Sequence, residues 1–126
     1  MFMHWVAVVV VLAIMDHVSA TDADLERVAD GVHLGELAAG REASMMYWRV
    51  EPGSTLPVHE HHHEQIGYML SGELVALVEG EEVVLEEGDV YRFPSGERHG
   101  AENRSDQPAV GLGVLAPPRE EPDWRE

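Results

Sequence analysis

Four of the eight histidines crowd into one run, Val58-His59-Glu60-His61-His62-His63-Glu64-Gln65. Imidazole is a neutral nitrogen donor suited to zinc, copper, iron and nickel. On an extended strand alternate side chains share a face, so His59 and His61 point one way and Glu60 the other. Two imidazoles converging on one spot supply part of a metal site. The sequence has no cysteine, which removes thiolate sites and leaves imidazole, carboxylate and amide oxygen as ligands. The same run also fits a solvated His-rich loop that binds nickel adventitiously. His62 and His63 read as exposed turn residues, with His63 or Glu64 near enough to orient a ligand ring. His17 and His33 carry no signal.

The elements that must position these residues read as strands. Val32 to Leu37, Met45 to Val50, Ile66 to Leu70, Leu74 to Val78, Val83 to Leu85, Val90 to Phe93 and Ala109 to Leu115 are short apolar or alternating runs, separated by Pro52-Gly53, Ser71-Gly72, Gly80 and Gly88-Asp89. Many short strands with Gly and Pro turns describe an all-β sandwich or barrel. Thr21-Asp22-Ala23-Asp24 has a hydroxyl cap and acidic first turn, and Leu25, Val28 and Ala29 then share a helical face that Gly31 ends. This predicts a short N-terminal helix. Met46, Tyr47, Trp48 and Met69 read as core, or as the lining of a barrel mouth. Arg49 and Arg92, each among apolar strand residues, are either outward-facing or clamps for an anion.

With 126 residues there is room for one core. The net charge is −16, from 24 acidic and 8 basic residues, all of the latter arginine. Nucleic acid and anionic membranes are excluded as partners on that balance, and it matches solubility in a very salty cytosol, as in an extreme halophile. Residues 1–20 form an apolar extension ahead of a domain over 21–126. Its run Val6 to Ile14 is too short for an ordinary transmembrane helix. It fits a signal-peptide core with Val18-Ser19-Ala20 as cleavage site, or an upstream extension with Met15 as the start of translation. No Lys or Arg precedes the run, and Asp16-His17 interrupts it. Both points favour Met15, and a cytoplasmic protein.

Two longer patterns enclose the histidines. Gly53-x5-His59-x-His61-x3-Gln65-x6-Gly72 resembles the first cupin motif at every position but one, and Gly88-x5-Pro94-x-Gly96-x2-His99-x3-Asn103 resembles the second in full. The resemblance covers Val32 to Pro117. It implies a jelly-roll β-barrel, the double-stranded β-helix, with His59, His61, Gln65 and His99 around a divalent ion of manganese, iron, nickel or zinc. Gln65 is the departure, since the commonest motif has glutamate there. An amide oxygen coordinates without charge, so the ion keeps its full +2. Retention weakens somewhat, and attraction for an anionic, Lewis-acid-activated substrate rises.

Within the superfamily, His63 to Gly72 and the ending Pro117-Pro118-Arg119-Glu120 are similar to the pectin-degradation cupins, which open the ring of 4,5-unsaturated uronates. That similarity implies Arg119 as a bidentate partner for the uronate carboxylate. Gly113 and Leu115 stand where that family carries an Asp and a Phe facing the metal, which leaves proton transfer without an owner. Three readings stay open: a metal-dependent isomerase or lyase-like enzyme on sugar acids, a metal-dependent dioxygenase, and a non-catalytic cupin that binds a small metabolite. Edge strands that need covering predict a homodimer, with the N-terminal strand region packed across the partner.

Overall fold

The structure, a computed structural model, describes residues 15–118. The apolar run before Met15 and Arg119 lie outside the described residues. Ten strands follow in order: β1 (Glu26–Ala29), β2 (Val32–Ala39), β3 (Ser44–Val50), β4 (Thr55–His59), β5 (Glu64–Ser71), β6 (Leu74–Val78), β7 (Glu81–Leu85), β8 (Val90–Phe93), β9 (His99–Glu102) and β10 (Ala109–Ala116). They form a six-stranded sheet, β1-β2-β3-β10-β5-β8, and a four-stranded sheet, β4-β9-β6-β7. All pairings are antiparallel. The expected all-β jelly roll is what the chain adopts.

Alternation sets the core. In β5 Gln65, Gly67 and Met69 are buried while Glu64, Ile66, Tyr68 and Leu70 are exposed. Inward residues of both sheets meet in one cluster that includes Val32, Trp48, Val50, Met69, Leu74, Ala76, Leu85 and Phe93. Met69 has no exposure at all, and emptying such a site costs about 2–5 kcal/mol. The turns are made by glycine. Gly53, Gly72, Gly88 and Gly96, the motif positions, all have φ between 77° and 89°. At Gly72 a Cβ would also stand 2.2 Å from the Pro108 carbonyl oxygen, so no other residue fits.

The N-terminal helix is corrected. Only a three-residue 3-10 turn forms, Ala20–Asp22, and Ser19 rather than Thr21 occupies its N-cap, with no side-chain cap bond. Leu25, Val28 and Ala29 fit a helical face, but the segment instead pairs with β2, Glu26 opposite Leu34 and Arg27 opposite His33. Val28 and Ala29 pack on the core from that strand. For so short a segment, ladder pairing and burial outweigh a helical face.

Candidate metal centre

The site lies where the two motifs touch. His59 ends β4 and His99 begins β9, and the two are direct cross-strand partners. His61 lies two residues on, in the connection to β5, and Gln65 is the second residue of β5. That connection is held from the second motif: the Gly96 amide donates to the His61 carbonyl at 2.8 Å, and the Ser95 hydroxyl donates to the His62 carbonyl at 2.6 Å. Phe93 lies flat on the His99 ring, with centroids 4.0 Å apart and planes 9° from parallel. Ring centroids within the triad are 4.6 to 5.4 Å apart.

Each imidazole is fixed by a backbone carbonyl. His59 Nδ1 contacts Pro57 O at 2.8 Å, His61 Nδ1 contacts His63 O at 3.0 Å, and His99 Nδ1 contacts Glu97 O at 3.0 Å. A carbonyl only accepts, so these contacts assign the proton to Nδ1 and the lone pair to Nε2. This is the tautomer a metal-binding histidine needs. The candidate ligand nitrogens of His59, His61 and His99 all lie within 4.8 Å of one another. Nitrogens around one ion at about 2.1 Å stand about 3.0 to 3.4 Å apart at octahedral or tetrahedral angles, so drawing the widest pair together by roughly 1.5 Å closes the triad. The residues therefore fit a divalent ion.

His59, His99 and Gln65 line an interior cavity of about 50 Å³. The rest of its wall is mainly apolar and aromatic, from Leu34, Trp48, Leu56, Leu74, Leu85, Tyr91 and Phe93 among others. Among the described residues, no Asp, Glu or Arg lines it. Burial pushes the Tyr91 phenol up to about 12, only partly countered by its interaction with Trp48, so the hydroxyl keeps its proton. A Cβ at Gly113 would stand 3.0 Å from Met46 Cε and 3.5 Å from Gln65 Nε2. That position thus faces the Gln65 end of the cavity without a side chain, and Leu115 is buried.

Arg49 and Arg92 are not brought to this site. Trp48 and Val50 face the cavity on either side of Arg49, as Tyr91 and Phe93 do around Arg92, so both guanidinium groups sit on the outer face. Arg49 pairs with Glu51, whose carboxyl is held below its usual range chiefly by that hydrogen bond. Arg92 pairs with Glu64 at 3.3 Å. His62 is exposed as expected, but His63 is buried, because its carbonyl anchors the His61 ring and its own ring packs 5.4 Å from it. Met46 and Trp48 line the cavity, whereas Tyr47 does not. Tyr91 escaped the sequence reading, although the alternation Val90-Tyr91-Arg92-Phe93 carries the signal for two inward aromatics.

No helix among the described residues is long and apolar enough to cross a membrane. Comparison with known proteins agrees with the geometry. The solved structure of KdgF from Halomonas sp. superposes with TM-score 0.78 over 85% of this chain and 97% of that one, at 23% identity, a likeness of fold. An RmlC-like cupin from Shewanella frigidimarina gives TM-score 0.75 over 84% and 95%, at 26% identity. Among curated proteins, the H2HPP isomerase of Bacillus subtilis is 34% identical over 67 residues, 53% of this chain and 28% of its own length. The oxalate-binding protein of Thermotoga maritima is 37% identical over 68 residues, 53% of this chain and 56% of its own. The chain thus spans less than two thirds of these curated relatives. The family model described as the cupin domain matches residues 46–115, which runs from β3 through both motifs to β10. On that match and this fold, the chain belongs to the cupin family.

Proposed function

We propose that His59, His61, His99 and Gln65 hold one divalent metal ion, and that the protein acts there on a small anionic metabolite of the sugar-acid class, as an isomerase or lyase-like enzyme. The observation that carries this is the charge balance of the cavity: all four donors are neutral and, among the described residues, no ionised side chain lines the wall. An ion in this site would supply Lewis-acid polarisation of a substrate oxygen and, among the described residues, the counter-charge for a carboxylate that the cavity wall lacks. The protein's part is positional. Backbone carbonyls orient the three rings, Ser95 and Gly96 hold the His61 connection, and Phe93 and the apolar wall exclude water, which strengthens electrostatic attraction inside.

One observation favours a second reading, a cupin that binds its metabolite without converting it. No carboxylate lines the cavity among the described residues, and Gly113 stands where the uronate-opening cupins carry an Asp. The oxalate-binding relative has such a role by name. Two measurements decide. Elemental analysis should find close to one metal per chain in wild type and His62→Ala, and at least tenfold less in His61→Ala. Equal retention in wild type and His61→Ala would sink the metal assignment. Incubating the loaded protein with a 4,5-unsaturated uronate should bleach its ultraviolet absorbance; saturable binding with the absorbance intact would select the binding role.

A further inference from the structure

Phe93 joins the two halves of the metal centre. It ends β8 in the six-stranded sheet, whereas His99 begins β9 in the four-stranded sheet. In the ladder with β5 it is the register partner of Gln65. Across the barrel its ring lies on that of His99, with centroids 4.0 Å apart and planes 9° from parallel. One side chain thus adjoins two of the four donors, one from each sheet. The ring contacts of His59 and His61 are of another kind, crossing their neighbours at 43° to 81°. Phe93 is itself held, because Tyr91 packs on it at 5.1 Å. Tyr91 in turn lies over Gly67, where a Cβ would stand 2.0 Å from its Cζ. Trp48, with which the Tyr91 side chain interacts, lies over Gly111 in the same way.

We propose that Phe93 is a positioning residue of the metal centre, which holds the His99 ring by its face and favours the state in which that ring carries a metal ion. The inference rests on the metal reading of the site. The face of a benzene ring is the negative pole of its quadrupole. A neutral imidazole gains little from that face beyond contact area. A divalent ion on Nε2 draws electron density out of the imidazole, which then lies on the negative face as a partial cation. Buried, mainly apolar surroundings strengthen the attraction. The stack is therefore stronger in the loaded protein than in the empty one, and that difference is expressed as metal affinity. With four neutral donors, nothing among the ligands offsets the charge of the ion. The π face supplies part of the negative potential that a glutamate in place of Gln65 would bring.

Fluorination tests this, because it drains the π face and leaves the shape of the ring nearly unchanged. The sequence has two phenylalanines, Phe2 and Phe93, so in a full-length chain carrying Phe2→Leu any phenylalanine analogue reports on Phe93 alone. Zinc affinity, measured by competition with a chelating dye, should fall about twofold with a monofluorinated ring and about fivefold with a trifluorinated one, and about tenfold in Phe93→Leu. The melting temperature of the metal-free protein should stay level across the fluorinated series, since the packing is kept. Fluorine NMR of the monofluorinated protein should show a resonance that moves as zinc is added and stops at one zinc per chain. Should Phe93→Leu fail to fold, the fluorinated series decides. Zinc affinity level across that series, or a resonance unmoved by zinc, overturns the role of Phe93 and leaves the metal reading standing. Affinity that falls only in step with the metal-free melting temperature marks plain packing and overturns it as well. A Phe2→Leu chain with unmodified Phe93 that takes up no zinc overturns the metal reading, and the positioning role falls with it.

Discussion

The Asn103 side chain makes four hydrogen bonds at 1% exposure. Its Nδ2 donates to the Val50 carbonyl at 3.0 Å and the Gln107 carbonyl at 2.7 Å. Its Oδ1 accepts from the Ser105 amide at 2.9 Å and the Ser105 hydroxyl at 2.7 Å. Its backbone exchanges bonds with Gly53 and Ser54. The side chain thus ties the end of β3 to the loop after β9, and the backbone of the same residue ties in the entry to β4. The final position of the second motif is therefore a structural clasp, away from the metal ligands. Asn103→Ala strips the Val50 and Gln107 carbonyls and leaves a cavity, so it should lower unfolding free energy by about 2–4 kcal/mol in a denaturant titration. The metal ligands stay in place, and metal content in the surviving folded fraction should be unchanged.

Elements were legible to the degree that their residues advertised them. β6 and β8 match the apolar runs Leu74 to Val78 and Val90 to Phe93 end for end, because glycine turns bracket both. β9, His99–Glu102, was not among the expected strands: it is four residues with Gly100 among them, and it is held by its partners β4 and β6. Gly100 is there for space, since a Cβ would stand 2.8 Å from the Leu56 carbonyl oxygen. β1 was misread because Leu25, Val28 and Ala29 fit a helical face and show no two-residue alternation, which the register shift between Arg27 and Ala29 breaks. In the site, the spacing of His59 and His61 and the motif glycines were readable, since each reflects local geometry. What spacing could not give was the cross-sheet arrangement: Tyr91 over Gly67, Trp48 over Gly111, and the burial of His63 behind the His61 ring. Those depend on register between strands distant in sequence.

Over the whole molecule, exposed apolar side chains lie among ion pairs. Five arginines, Arg27, Arg49, Arg92, Arg98 and Arg104, are paired with carboxylates, and a net charge of −16 remains once all eight basic residues are counted. The outer face of the six-stranded sheet meanwhile shows Met45, Ile66, Tyr68, Leu70 and Val90 substantially exposed. Such a face favours contact between copies, and we expect a homodimer formed across it, in place of the N-terminal strand contact expected from sequence. Light scattering in molar potassium chloride at micromolar concentration should give twice the chain mass. The melting temperature should also rise from low to molar salt as repulsion is screened. A monomer under those conditions counts against the dimer, and a salt-independent melt against the electrostatic account.

The pairing of His59 with His99 has a thermodynamic consequence. The two rings are adjacent only when β4 and β9 are zipped together, so an unfolded chain offers an ion no preassembled cluster. Binding and folding are then linked equilibria. An ion at a hundred times its dissociation constant should stabilise the native state by about 2.7 kcal/mol, and the melting temperature should climb with the logarithm of metal concentration without levelling off. Stripping the ion with a chelator should reverse the gain, and in His61→Ala the climb should flatten. The motif that serves a ligand in the folded state would act during folding as a latch between two segments forty residues apart.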